Sequence, residues 1–301
     1  YNSLQLIEIS SRTILSFTFS HKNLYYDIYI QEEILYLMSY RSYNFTHAIT
    51  RKPSKAVVRG LTSQDRGVPD FKLMNIHHID YVKALKKAGA NVIELDALED
   101  FPDSTFVEDT ALCLPEGAVI MKPGAPSRLK EVNYIEPQLS ELYREVYRIE
   151  GKGTIEAGDI LTTESEILVG RSERTSAEGV SELKEIVSKW GYKVTEVITP
   201  PEILHFKTDC SLLNNDTILS TERLAGTGCF KNYNIILTCD GEEEAANTVR
   251  YNEWIIMPDS FINTTKRLID CGFKVLKVGN TECAKIDGGM SCLSLRFTPH
   301  A

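Results

Sequence analysis

Near the end of the chain, the stretch KIDGGMSCLSLRF (residues 285–297) sets Cys292 between a glycine pair and an alternating apolar run. Strand alternation places Cys292, Ser294 and Arg296 opposite Leu293, Leu295 and Phe297, so the thiol shares a polar face. A thiol attacks as its thiolate, and the usual activator is a histidine remote in sequence. His205 in EILHFKTDC, with Lys207 at the same parity, is the candidate. Each residue alone has a plainer explanation. Most cysteines are inert and behave as small core hydrophobes, and a histidine in an apolar strand is more often a hydrogen-bonded core residue. Only their pairing favours nucleophilic chemistry.

The acidic stretch EDFPDSTFVEDT brings Asp103, Glu108 and Asp109 around Phe106 and Val107. A solvated loop would explain the charges. The apolar anchors argue instead for partly desolvated carboxylates, which need a cationic partner. Arg128 in KPGAPSR and Arg174 in RSERT lie in turn-like stretches and could hold a carboxylate by forked hydrogen bonds. By default each is a surface arginine.

Bringing such distant residues together requires a particular architecture, and the chain repeats itself in a way that supplies one. KKAGANVIEL, SKWGYKVTEV and IDCGFKVLKV share a register: Gly89, Gly191 and Gly272 stand where a left-handed helix cap belongs, Val92, Val194 and Val275 follow, then Leu95, Val197 and Val278. A second pattern sets Asp109, Asp159, Asp209 and Asn247 each before two short apolar strands joined by a polar turn. A partial fifth copy, led by Asp287, would take its missing strand from AITRKPSKAVVRGL at the front of the domain. Repeats of this length are supersecondary units. Five strand–strand–helix–strand units whose termini share one unit close into an α/β ring. At its axis Asp109, the turn from Glu156 to Asp159, His205 and Cys292 would meet. The unit containing ERLAGTGCFKNYNIILTC has no room for a long helix.

Composition narrows the function. The 301 residues, 43% hydrophobic and 25% charged, suit a globular chain, and a net charge of -9 with no basic run argues against nucleic acid. No apolar run is long enough for a membrane span. Seven cysteines without a CxxC pair, an odd number, favour a reducing cytoplasm over a disulfide framework. The six histidines offer no metal-ligand spacing. His77 and His78, adjacent on an expected helix, diverge by about 100° and suit a surface better than a joint metal site. Residues 1–44, before and just after Met38, read as an extension or gene-boundary artefact, poorly ordered; residues 45–298 read as one catalytic domain.

Taken together, GLTS, FPDSTFVED, KPGAPSR, GTIEAGD, SERTSAEG, LHFKT and KIDGGMSCLSLRF resemble, in order, the motifs of the dimethylarginine dimethylaminohydrolases, bacterial type, of the amidinotransferase (pentein) superfamily. The resemblance spans about Thr46 to Phe297 and implies a five-bladed α/β propeller. It implies Cys292 as nucleophile, His205 as acid/base and Glu156 as the third catalytic group. For the substrate it implies the Leu61 backbone and Asp103 at the α-amino group, and Arg128 and Arg174 at the α-carboxylate. Glu108 and Asp109 would lie near the guanidinium, with the Ile286 backbone beside Cys292. One departure is Lys122 before Pro123, where relatives carry arginine; Arg128 remains the matched binding residue.

The implied reaction converts an Nω-methylated L-arginine to L-citrulline and dimethylamine or methylamine through a covalent thiouronium on cysteine. It needs no metal and no organic cofactor. Whether it serves carbon and nitrogen scavenging or control of a nitric-oxide synthase inhibitor stays open. Three alternatives stay open: an arginine deiminase, an amidinotransferase acting on a related guanidino compound, and a silent relative that only binds arginine-like ligands. Monomer and homodimer also stay open.

Overall fold

Gly89, Gly191 and Gly272 all have left-handed backbones, with φ of 99°, 86° and 90°. Each ends a helix and turns the chain into a strand, as the shared register predicts. The computed structural model describes residues 42–299, together with the backbone of two earlier strands, Leu4–Ile9 and Arg12–Phe17. Those strands pair antiparallel within a separate unit, residues 1–40. The expected extension, residues 1–44, lies largely outside the described residues. Within the second unit, the Tyr43 hydroxyl donates to Asn215 Oδ1 at 2.8 Å.

The second unit contains five sheets of three strands. In each, the first two strands run antiparallel and the third returns parallel to the second after a helix. The blades begin at Ala111, Ile160, Cys210, Val249 and Leu295. The fifth is shared by the termini: Leu295–Phe297 pairs with His47–Arg51, which lies parallel to Asn91–Leu95. This is the closure expected from the repeats, and the fold is a five-bladed α/β propeller.

Helices cover the blades because their apolar faces have sheets to bury against. Phe71–Lys87 is capped by the Asp70 carboxylate, which accepts from Lys72 N and Leu73 N. It buries Met74, Tyr81 and Leu85 against Ala48 and Val249. Ala177–Ser188, capped by Ser176, buries Val180, Leu183 and Val187 against Ile167 and Val169. Burying one such side chain stabilises by roughly 1.5–3 kcal/mol. In the third blade the helix shrinks to Glu222–Ala225, as the short sequence there requires.

The residues leading the blades tie neighbours together. Asp109 Oδ1 accepts from Gly158 N at 3.0 Å, Asp159 Oδ1 from Phe206 N at 2.8 Å, and Asn247 Oδ1 from Ser291 N at 2.8 Å. Asp209 instead takes Thr221 Oγ1 and Arg223. Asp287 does not belong to this register. The fifth blade's strand starts only at Leu295, and the turn of 3-10 helix that precedes it, Ser291–Leu293, carries Cys292. Asp287 sits earlier, in a left-handed conformation with φ 59°, where its carboxylate accepts from Ser63 N. The expected surface position of His78 also fails: it is buried, 3.3 Å from Glu94.

Candidate active site

Cys292 lies in the single turn Ser291–Leu293, not in the strand that its alternation suggested. The strand begins only at Leu295, but the alternation still separates buried Leu295 and Phe297 from half-buried Arg296. The thiol Sγ accepts from Gly289 N at 3.4 Å and Asn247 Nδ2 at 3.8 Å. The glycine at 289 is required by close approach: a Cβ there would stand 2.1 Å from Asn247 Cγ.

His205 precedes the turn Phe206–Thr208, and its backbone N–H donates to Thr208 Oγ1. Its ring Nε2 lies 2.6 Å from Glu156 Oε2. The other Glu156 oxygen accepts from Gly124 N at 2.9 Å and Ala125 N at 3.2 Å, with Arg174 at 3.4 Å. Glu156 is therefore fixed by backbone donors before it fixes the imidazole. Gly158 lets the next groups approach, since a Cβ there would lie 2.6 Å from Asp109 Oδ1 and 2.9 Å from His205 Nδ1.

Cys292 and His205 line one cavity of about 260 Å³. Leu61, Asp103, Asp109, Arg128, Arg174 and Ile286 line the same cavity. Glu156 stands behind its wall, one hydrogen bond from His205. Asp103 Oδ1 accepts from Leu61 N at 2.8 Å, which ties the two residues assigned to one end of the substrate. Arg128 is buried and bonded to Asp109 at 2.5 Å and to Glu131 at 2.8 Å. Glu108 is not on the cavity wall. Its carboxylate is committed to Lys207 at 2.6 Å, Arg296 at 2.5 Å and Ser291 Oγ at 2.8 Å.

That buried network under the thiol was only half legible in the sequence. Lys207 and Arg296 show the parity of His205 and Cys292, but their partner Glu108 is remote in the chain. Glu173 and Leu204 also line the cavity without having been singled out; the former carried only the weak signal of a charge beside Arg174.

Electrostatics sets the resting protonation. Burial, then the Glu108 and Asp109 carboxylates, push the Cys292 thiol up to about 12, against the pull of Gly289 N–H and Lys207. Burial alone would lower the His205 pKa, but Asp109, the Glu156 hydrogen bond and Asp159 outweigh it and carry it up to about 9. Burial would raise Glu156, yet the bond to His205 holds it down at about 2. At neutral pH the site thus holds a thiol and an imidazolium beside ionised Glu156.

Asp109, Glu156 and His205 have ligand-type atoms within 4.8 Å of one another, the one such group among the described residues. Their lone pairs are engaged by Arg128, Gly158, Gly124 and each other, which suits a proton relay better than a metal centre.

Comparison with known proteins places the chain among relatives. The arginine deiminase family model matches residues 68–272. The N(G),N(G)-dimethylarginine dimethylaminohydrolase of Pseudomonas aeruginosa is 38% identical over 84% of this chain and 100% of its own. The solved structure of a mutant of that protein complexed with citrulline superposes with a TM-score of 0.82, at 38% identity over 84% of this chain and 99% of its own. The product-bound N-terminal domain of ArgZ, a cyanobacterial arginine dihydrolase, reaches a TM-score of 0.75 at 20% identity over 84% of this chain and 98% of its own, a likeness of fold. With the ring, the thiol–imidazole cavity and these similarities together, the chain belongs to the arginine deiminase family and, within it, to the dimethylarginine dimethylaminohydrolases.

Proposed function

We propose that this protein hydrolyses the guanidinium of Nω-methylated L-arginine, giving L-citrulline and dimethylamine or methylamine. The observation that carries the reading is one cavity lined by Cys292, His205 and Asp109, with Glu156 bonded to the imidazole from behind. A guanidinium is a planar cation, so it is drawn to Asp109. Once seated, it offsets the negative charges that hold the thiol protonated, and the thiolate becomes accessible where it is needed. Arg174 and Arg128 receive the α-carboxylate, Asp103 and the Leu61 backbone the α-amino group, and the Ile286 backbone flanks the reacting end. Glu108 acts from behind the wall, through Ser291 and Lys207.

As the cation seats, the Cys292 thiol loses its proton to solvent, and the thiolate attacks the central guanidinium carbon to form a tetrahedral adduct. His205, an imidazolium in the resting site, gives a proton to the methylated nitrogen, and the C–N bond breaks to release the amine and leave a thiouronium. Neutral His205 then takes a proton from water, whose oxygen attacks the same carbon. Collapse breaks the C–S bond and frees citrulline, while the hydroxyl proton of the adduct returns to the departing sulfur and restores the thiol. Glu156 holds the ring and stabilises its charge in both half-reactions. Every proton is supplied by the chain's own groups and water, and no metal or cofactor takes part.

All seven cysteines are free, and no helix among the described residues is long and apolar enough to cross a membrane. We infer a reducing compartment, the cytoplasm. One chain carries every named residue, so neither a homodimer nor nucleic acid is needed. By consuming methylated arginine the reaction would also limit an inhibitor of nitric-oxide synthesis.

The test is citrulline release from dimethylarginine, monomethylarginine and arginine by the parent and by Cys292→Ser. Methylated substrates should be preferred, and the variant should lose at least about 10³-fold in kcat. Preference for arginine would favour ammonia release instead, the reading suggested by the matching family model.

A further inference from the structure

The pseudo-repeat makes one position unusual. Asp109, Asp159 and Asp209 lead their blades as buried carboxylates, and the fourth blade carries Asn247 there. Its Oδ1 does what Asp109 and Asp159 do, accepting a backbone N–H from the next blade, here Ser291 N at 2.8 Å. Its Nδ2 has no counterpart in a carboxylate, and it points to Cys292 Sγ at 3.8 Å. Asn247 is buried and does not line the substrate cavity. With Gly289 it lines a neighbouring cavity of about 330 Å³, so the two donors to the sulfur approach from outside the substrate wall.

We propose that Asn247 is a thiolate-stabilising and positioning residue, in which an amide replaces the carboxylate of the repeat so that a donor, rather than a negative charge, faces Cys292 Sγ. The inference rests on Cys292 being the nucleophile of the reaction proposed above. Its logic is local. A hydrogen bond to the charged form of a group favours that form, and a like charge nearby opposes it. The sulfur already faces the Glu108 and Asp109 carboxylates, Tyr81 and Cys283; on the favourable side stand Lys207, Arg296 and the Gly289 N–H. His205 lines the same cavity as the sulfur. A third carboxylate at position 247 would tip this balance further against the thiolate. The same side chain also fixes the turn, because it holds Ser291 N while Gly289 packs on its amide carbon.

Asn247→Asp is the discriminating variant, since it keeps the acceptor for Ser291 N, removes the donor and adds charge. Asn247→Ala removes the donor without adding charge. The readout is the rate of Cys292 alkylation by iodoacetamide between pH 7 and 10, followed by mass spectrometry of its peptide, with exposed Cys271 as internal control. Alkylation of Cys292 should slow about tenfold in Asn247→Asp, corresponding to about one unit in thiol pKa, and less in Asn247→Ala, with Cys271 unchanged. In turnover, kcat should fall while KM stays within about twofold, as expected for a residue off the substrate wall. If both variants melt at the parent temperature and alkylate at the parent rate throughout, the proposal is wrong. If Asn247→Ala fails to fold, Asn247→Asp alone decides. Alkylation needs no turnover, so a parent that fails to hydrolyse methylarginine overturns the functional reading and leaves this test standing.

Discussion

At the scale of single residues, the site depends on two raised pKa values: the thiol sits at about 12 and the imidazole at about 9, so the resting enzyme holds neutral sulfur and charged nitrogen. Because the first half-reaction needs imidazolium, kcat should decline as pH rises through about 9. Glu156→Gln removes a charge that raises the His205 pKa, so this alkaline limb should move to lower pH; an unmoved limb in a kcat–pH profile would refute the assignment. His205→Ala should cost about 10² to 10⁴ in kcat, the usual contribution of a general acid. Much of this was legible in the chain: Cys292, His205 and the carboxylates stood out by type and motif. The raised imidazole was not, because it comes from Asp109 and Asp159 converging on His205 from two blades against the effect of burial. Nor was the commitment of Glu108 to Lys207, Arg296 and Ser291, since pairing between distant segments leaves no mark in either one.

At the scale of elements, short turns of 3-10 helix before each inner strand carry Asp109 and Cys292 or follow directly on Glu156 and His205, and glycines set how closely the turns approach. Gly158→Ala would drive a methyl group to 2.6 Å from Asp109 Oδ1 and 2.9 Å from His205 Nδ1. Displacing them should lower kcat by about 10²-fold, with a melting temperature near the parent's, measured on the same preparation. Leu295, buried in the strand that closes the ring, tests the scaffold: Leu295→Ala should lose about 2–5 kcal/mol in urea unfolding. The ring itself was readable because the Gly–Val register repeats and one strand lacks a partner. The misplacement of Asp287 has a physical cause. Sequence spacing cannot distinguish an acid that leads a strand from one in a left-handed turn, and only the strand's start at Leu295 decides. His78 was misread for a related reason: adjacent helix positions point about 100° apart, so one neighbour can be buried while the other is half-exposed.

At the scale of the whole molecule, the Glu156–His205 pair couples the site to stability. Glu156 is lowered from 4.5 to about 2, so its contribution is present above 4.5 and lost as pH falls through 2. His205 is raised from 6.5 to about 9, so its contribution is present below 6.5 and lost as pH rises through 9. The difference in melting temperature between the parent and Glu156→Gln should be largest between pH 4.5 and 6.5 and shrink toward pH 9; a difference independent of pH would contradict the pairing. What the ring accomplishes is to bring residues from separate blades to one thiol, and the central claim is that this thiol forms a bond to the substrate. The direct measurement is mass spectrometry of the protein quenched in acid during turnover of dimethylarginine. The account predicts an adduct of the substrate less dimethylamine on the Cys292 peptide of the parent, and its loss when His205, the proton donor to the leaving amine, is replaced. Steady turnover by the parent with Cys292 unmodified at every time sampled would contradict it.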